Sequence, residues 1–181
     1  MSFVDTIIDR NEQFAATGFH PELKIIPSGK TMIIGCVDPR VDPMDILQLK
    51  PGEAAIIRNV GGRVNPGLME TMTILAAVSR AAGQPAGDGW NLVVLQHTNC
   101  GIVGCYHEAP ELLATYMGVP ADGLEPLAIT DPYKAVAIDV AALKANPRIR
   151  SGFTVTGLVY DVATGKIDTV VPPSLLQPEE A

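Results

Sequence analysis

Three residues of the kind that bind soft and borderline metals stand at the ends of apolar runs in this chain. Cys36 follows Thr31-Met32-Ile33-Ile34-Gly35, and His97 with Cys100 follows Asn91-Leu92-Val93-Val94-Leu95-Gln96. Two thiolates and one imidazole form a sound ligand set for zinc, which takes sulfur and nitrogen donors at about 2.0 to 2.3 Å in tetrahedral geometry. The His-x-x-Cys spacing lets one turn of chain present both side chains, while Cys36 comes from far away in sequence and would tie the metal to the fold. Three protein ligands leave a fourth position for water, whose pKa zinc lowers from about 15.7 to near 7. Asp38 and Arg40 stand beside Cys36 in Cys-Val-Asp-Pro-Arg. Next to a dication that carboxylate either ligates the metal or accepts a hydrogen bond from the water, and Arg40 would hold it in one rotamer. Elsewhere the same pair is a surface ion pair of little energetic weight.

Convergence of these residues requires the two apolar runs to be neighbouring strands, so the rest of the chain must supply a sheet. Hydrophobic periodicity alternates strand and helix without repeat, charge block or long linker. Residues 2–17 carry Phe3, Val4, Ile7, Ile8 and Phe14 among polar residues, an amphipathic helix that Gly18 ends and whose apolar face must cover this domain or a partner subunit. Strands are predicted at 31–35, 54–58, 91–96, 153–160 and 166–171, the last two joined by a turn over 161–165. Helices are predicted from the Asp42 N-cap through Leu49, from Asn65-Pro66 through Ala82, and from a Thr130 cap to Ala145. Strands separated by crossover helices imply one α/β domain over residues 1–181, with a mostly parallel central sheet flanked by helices and an antiparallel C-terminal edge. In such sheets ligands gather beyond the carboxyl ends of the strands, where Cys36, His97 and Cys100 fall.

Composition narrows the classes of function. The 181 residues are 47% hydrophobic and carry 13 Lys plus Arg against 20 Asp plus Glu, a formal charge of -7. That charge repels phosphate backbones and anionic lipid surfaces, which argues against nucleic-acid or polybasic membrane binding. No apolar stretch approaches the roughly 18 residues of a membrane span. Three cysteines are an odd number, unsuited to a complete disulfide framework, and the opening residues lack the pattern of a signal segment. A reducing, cytoplasmic setting is the expectation.

Taken together, Cys36-x-Asp38-x-Arg40 and His97-x-x-Cys100-Gly101 resemble the signature of the β-class carbonic anhydrases. Arg58-Asn59-Val60-Gly61-Gly62-Arg63-Val64 is similar to that family's Arg-Asn-Ala-Gly-Gly/Asn segment. These motifs lie within residues 31–104, and Val155 to Asp161 extends the likeness. The resemblance implies Cys36, His97 and Cys100 as ligands of one Zn2+ per subunit and Asp38 with Arg40 as a catalytic dyad. It implies reversible hydration of carbon dioxide to bicarbonate, a sheet of four parallel strands with an added antiparallel one, and a homodimer in which the helix over 1–18 embraces its partner.

Some features depart from the family. Pro66-Gly67-Leu68-Met69-Glu70-Thr71-Met72 stands where many members open a helix with Gly-Thr-x-Ala-x-x-Glu-Tyr/Phe, and Asn99 stands where many bacterial relatives have Asp. These changes spare the ligands but alter the substrate wall, so hydrolysis of carbonyl sulfide or carbon disulfide is the alternative activity. A third reading turns on Cys105: as a fourth ligand it would close the site into a non-catalytic structural zinc. Asp38 at the fourth position would give a closed resting state. His20 and His107 titrate in the range of a proton shuttle but have no assigned place. Gly61 and Gly62 either let a loop pass close to the site or make a plain turn.

Overall fold

The computed structural model describes residues 2–149 and 152–176. The chain begins with α1 (Phe3–Thr17), started by a reciprocal capping box. Ser2 Oγ accepts from the Asp5 amide at 3.2 Å and the Asp5 carboxylate accepts from the Ser2 amide at 2.7 Å. None of the residues of α1 is buried. After it come β1 (Thr31–Cys36), the four-residue α2 (Pro43–Ile46), β2 (Ala54–Asn59), α3 (Pro66–Ala81), β3 (Trp90–His97), α4 (Ile102–Glu108), α5 (Pro110–Met117), α6 (Pro132–Lys144), β4 (Phe153–Asp161) and β5 (Lys166–Leu175). The five strands form one sheet in the order β2-β1-β3-β4-β5. The first four are parallel and β5 runs antiparallel to β4, as the strand and helix alternation predicts.

The sheet is apolar where helices cover it. Ile34, Leu92, Val94 and Val155 are fully enclosed and share one cluster with Leu68 and Met72 of α3 and Val136, Val140 and Leu143 of α6. A smaller cluster, built from Ile102, Leu113, Met117, Leu124 and Ile129, binds α4 and α5 to the loop before α6. Among the described residues no helix is long and apolar enough to cross a membrane.

Some helix limits differ from the sequence reading. The helix after Asp42 ends at Ile46, because Leu47 is followed by Gln48 in a left-handed conformation (φ 52°). The cap of α6 is Asp131, whose Oδ1 accepts from the amides of Tyr133 and Lys134 at 3.1 and 3.2 Å. Asp131 directly precedes the first-turn proline, so Thr130 lies one residue too early to cap. Residues 102–117 form two short helices that hydrophobic spacing does not announce, since Pro110 restarts the helix at its own position.

Candidate metal centre

Cys36 and His97 are the last residues of β1 and β3. These strands are parallel neighbours in a register that pairs Gly35 with Leu95, so both side chains emerge at the same carboxyl edge. Cys100 joins them from the short turn after β3. One ligand atom of each lies within 4.8 Å of the others, and this trio is the group of metal-capable side chains found among the described residues. The two sulfurs are 3.8 Å apart. Two sulfurs about 2.3 Å from a tetrahedral centre would be about 3.8 Å apart, so the spacing suits zinc.

Protonation points the same way. The Thr98 carbonyl can only accept, so His97 Nδ1, 2.9 Å from it, carries the ring proton. Nε2 is left with its lone pair, buried and without a partner, which is the state required of a metal-ligating imidazole. The Cys36 thiol is pulled down, chiefly by its hydrogen bond with Cys100, and the Asp38 amide lies 3.4 Å from its sulfur. Cys100 is pushed up by that same hydrogen bond and by burial.

Beside the trio, Asp38 and Arg40 form a closed pair. Asp38 Oδ1 accepts from the Arg40 amide at 2.9 Å and from Nε at 3.0 Å, while Oδ2 accepts from Nη2 at 2.6 Å. The guanidinium holds this carboxyl well below the usual carboxylate range. Arg40 Nη2 also donates to the Asn99 carbonyl at 2.9 Å, joining the dyad to the His97–Cys100 turn. Asp38 is not in the ligand trio; its oxygens are turned to Arg40.

The surrounding loops explain why these side chains stay in place. Arg58, at the end of β2, donates to the carbonyls of Cys36 and Asp38, both at 2.8 Å, and to the Asp42 carboxylate. It braces the backbone that carries Cys36 and the Asp38–Arg40 pair. Gly62, at φ 61°, passes so close that a Cβ would sit 3.1 Å from the Cys36 nitrogen and the Leu95 carbonyl, so the close-approach reading of this loop holds. Beneath the site Arg63 and Asp139, each about 2% exposed, form an ion pair with Nε to Oδ2 at 2.7 Å. Gln96, next to His97, donates to the same carboxylate at 2.7 Å. A cavity of about 210 Å3 opens beside the trio, lined by His97, Cys100, Asn99, Ile102, Val103 and Ile129 among others.

The remaining candidates fall elsewhere. Cys105 sits on α4, packed against the small apolar cluster and outside the ligand trio. His20 is exposed beside Glu22, and His107 stacks edge-on against Tyr106. Sequence reasoning assigns no role to Arg58, Thr98, Asp139 or Asp161. The detectable signal is Asp139, a lone acid on the apolar face of α6 that needs a buried cation.

A parallel sheet with a Cys-His-Cys trio at its carboxyl edge and a carboxylate–guanidinium pair beside it defines a class of metal-dependent enzymes. Residues 31–120 match the carbonic anhydrase family profile. The chain is similar to carbonic anhydrase from Streptococcus mutans, whose solved structure superposes with a TM-score of 0.72 at 30% identity, covering 94% of this chain and 98% of that one. It is 28% identical over 173 residues to β-carbonic anhydrase 1 of Mycobacterium tuberculosis, covering 95% of this chain and all of the relative. A carbon disulfide hydrolase shares the fold, with a TM-score of 0.56 at 21% identity over 99% of this chain and 91% of that one. The protein belongs to the β-class carbonic anhydrase family.

Proposed function

We propose that the chain catalyses the reversible hydration of carbon dioxide to bicarbonate and a proton, with one zinc held by Cys36, His97 and Cys100. The observation that carries this reading is the meeting of a two-sulfur, one-nitrogen donor set with the Asp38–Arg40 pair at one sheet edge. When bound, zinc acts as a Lewis acid and brings the pKa of water at the open position near 7.

The residues supply positioning. Arg40 keeps Asp38 ionised and in one rotamer. A carboxylate has about four lone-pair sites and Arg40 uses three hydrogen bonds, so acceptor capacity remains for an attacking O–H. Accepting that hydrogen bond orients the nucleophile towards the carbon of a small linear substrate. Cys105 lies outside the trio, which supports an open catalytic site over a closed structural one.

Carbonyl sulfide and carbon disulfide hydrolysis is the second reading, favoured by the apolar wall of Ile102, Val103 and Ile129 on the same cavity. Stopped-flow hydration of CO2 by zinc-quantified protein, beside release of sulfide from carbonyl sulfide, separates the two. Faster turnover of CO2 is expected. Stoichiometric zinc with sulfide release and no CO2 hydration would transfer the assignment to the second reading.

The first helix completes the proposal. Phe3, Val4, Ile7, Ile8 and Phe14 are 45 to 73% exposed, an apolar face that a second copy of the chain would cover. Light scattering is expected to give at least twice the 19.1 kDa of one chain, and a monomer would contradict it. Three free cysteines suit a reducing cytoplasm.

A further inference from the structure

The turn between His97 and Cys100 is short, yet it is fastened from a strand far away in sequence. Thr98 makes three hydrogen bonds to the end of β4 and the residue that follows it. Its amide donates to the Tyr160 carbonyl at 3.0 Å. Its hydroxyl donates to Asp161 Oδ1 at 3.1 Å, across 63 residues, and accepts from the Val162 amide at 3.0 Å. The carbonyl of this same residue accepts the hydrogen bond from His97 Nδ1. Fixing Thr98 therefore fixes the acceptor that sets the ring's tautomer and its aim. Beyond Thr98 the chain reverses through Asn99 at φ 53°, a left-handed conformation that asparagine tolerates better than most residues other than glycine.

We propose that Thr98 and Asp161 are positioning residues for metal retention. They lock the Thr98 carbonyl against His97 Nδ1, so that Nε2 faces the centre with its lone pair free. The inference rests on the assignment of Cys36, His97 and Cys100 as the zinc site and deepens it. Asp161 also accepts from the Ala163 amide and the Thr164 hydroxyl, at 3.0 and 2.8 Å. These bonds hold its carboxylate in one orientation and keep it ionised. The β4–β5 turn thereby acts as the anchor of a ligand on β3. Outer partners of ligating histidines typically govern about 10- to 100-fold in metal affinity.

The test uses the zinc-loaded full chain and measures transfer of Zn2+ to a chromogenic chelator, with the visible spectrum of the Co2+-substituted protein as a second readout. Thr98→Val keeps the shape and deletes both hydroxyl bonds. It is expected to release zinc about 10- to 100-fold faster and to alter the cobalt bands. Thr98→Ser restores the hydroxyl and is expected to return both to near wild type. Asp161→Ala, at a half-exposed turn, serves if Thr98→Val does not fold, and is expected to accelerate release as well. Wild-type release rates in folded Thr98→Val or Asp161→Ala, or equal acceleration by Thr98→Ser and Thr98→Val, would overturn the proposal. Wild-type protein that holds no zinc would instead overturn the metal assignment itself.

Discussion

The sulfur atoms of Cys36 and Cys100 lie 3.8 Å apart although 64 positions separate the residues in the chain. The adjacent parallel strands β1 and β3, together with the turn after β3, bring them together. Loss of either sulfur removes one of the proposed ligands, which is expected to weaken zinc binding by more than the about 10- to 100-fold typical of an outer partner. Metal analysis of dialysed Cys100→Ser should therefore find well under one zinc per chain, while Cys105→Ser keeps its zinc. The holo-protein should also melt higher than the apo-protein. At zinc about 1,000-fold above its dissociation constant, linkage contributes about 4 kcal/mol, or about 10 °C for a domain of this size. An unchanged melting temperature in excess chelator would contradict the site.

The buried Arg63–Asp139 pair has a different energetic character. Burial pushes the Asp139 carboxyl up, against the opposing pull of Arg63. Removing one partner strands a charge in the interior, so Asp139→Ala is expected to cost about 3–5 kcal/mol, read by urea denaturation. The double variant Arg63→Met with Asp139→Leu is expected to recover most of that loss, because the desolvation penalty disappears with the pair. Failure of the double variant to recover stability would show that the pair does more than neutralise itself.

Acid dependence is expected at the start of α6. The carboxyl of Asp131 is lowered by the amide and side chain of Lys134 and by the Tyr133 amide. A group whose folded pKa is depressed adds stability above its unfolded value, about 3.9, and that stability is lost as pH falls through the lower folded value. Asp131→Ala should therefore destabilise the chain at pH 7 by about 1 kcal/mol, the usual worth of an N-cap. The gap between wild type and variant should narrow below pH about 4. A gap independent of pH would assign the cap's worth to geometry and none of it to charge.

The sheet and the meeting of three metal-capable side chains are legible in the sequence for the same reason. Thr31–Gly35 and Asn91–Gln96 are short apolar runs bounded by polar or turn residues, and in a parallel sheet their carboxyl ends share one edge. Cys36 and His97 then share an edge, and the short His-x-x-Cys spacing keeps Cys100 beside them. The supports of the site are not legible because they depend on pairings that no local spacing encodes. Arg58 reaches two carbonyls of the neighbouring strand's exit loop, Thr98 meets Asp161 only because β4 lies beside β3, and Arg63 meets Asp139 across 76 residues. Helix ends are hidden for a smaller reason: Asp131 and Thr130 are both capping types, and the position of Pro132 decides between them.

The proposed chemistry depends most directly on Asp38. Asp38→Asn, matched to wild type at one zinc per chain, is expected to lose about 100-fold or more in kcat/KM for CO2 hydration, the lower end of what a positioned proton-accepting side chain contributes. Stopped-flow hydration on metal-matched samples is the measurement. Wild-type kcat/KM in zinc-replete Asp38→Asn would contradict the assignment of the Asp38–Arg40 pair and, with it, the proposed mechanism.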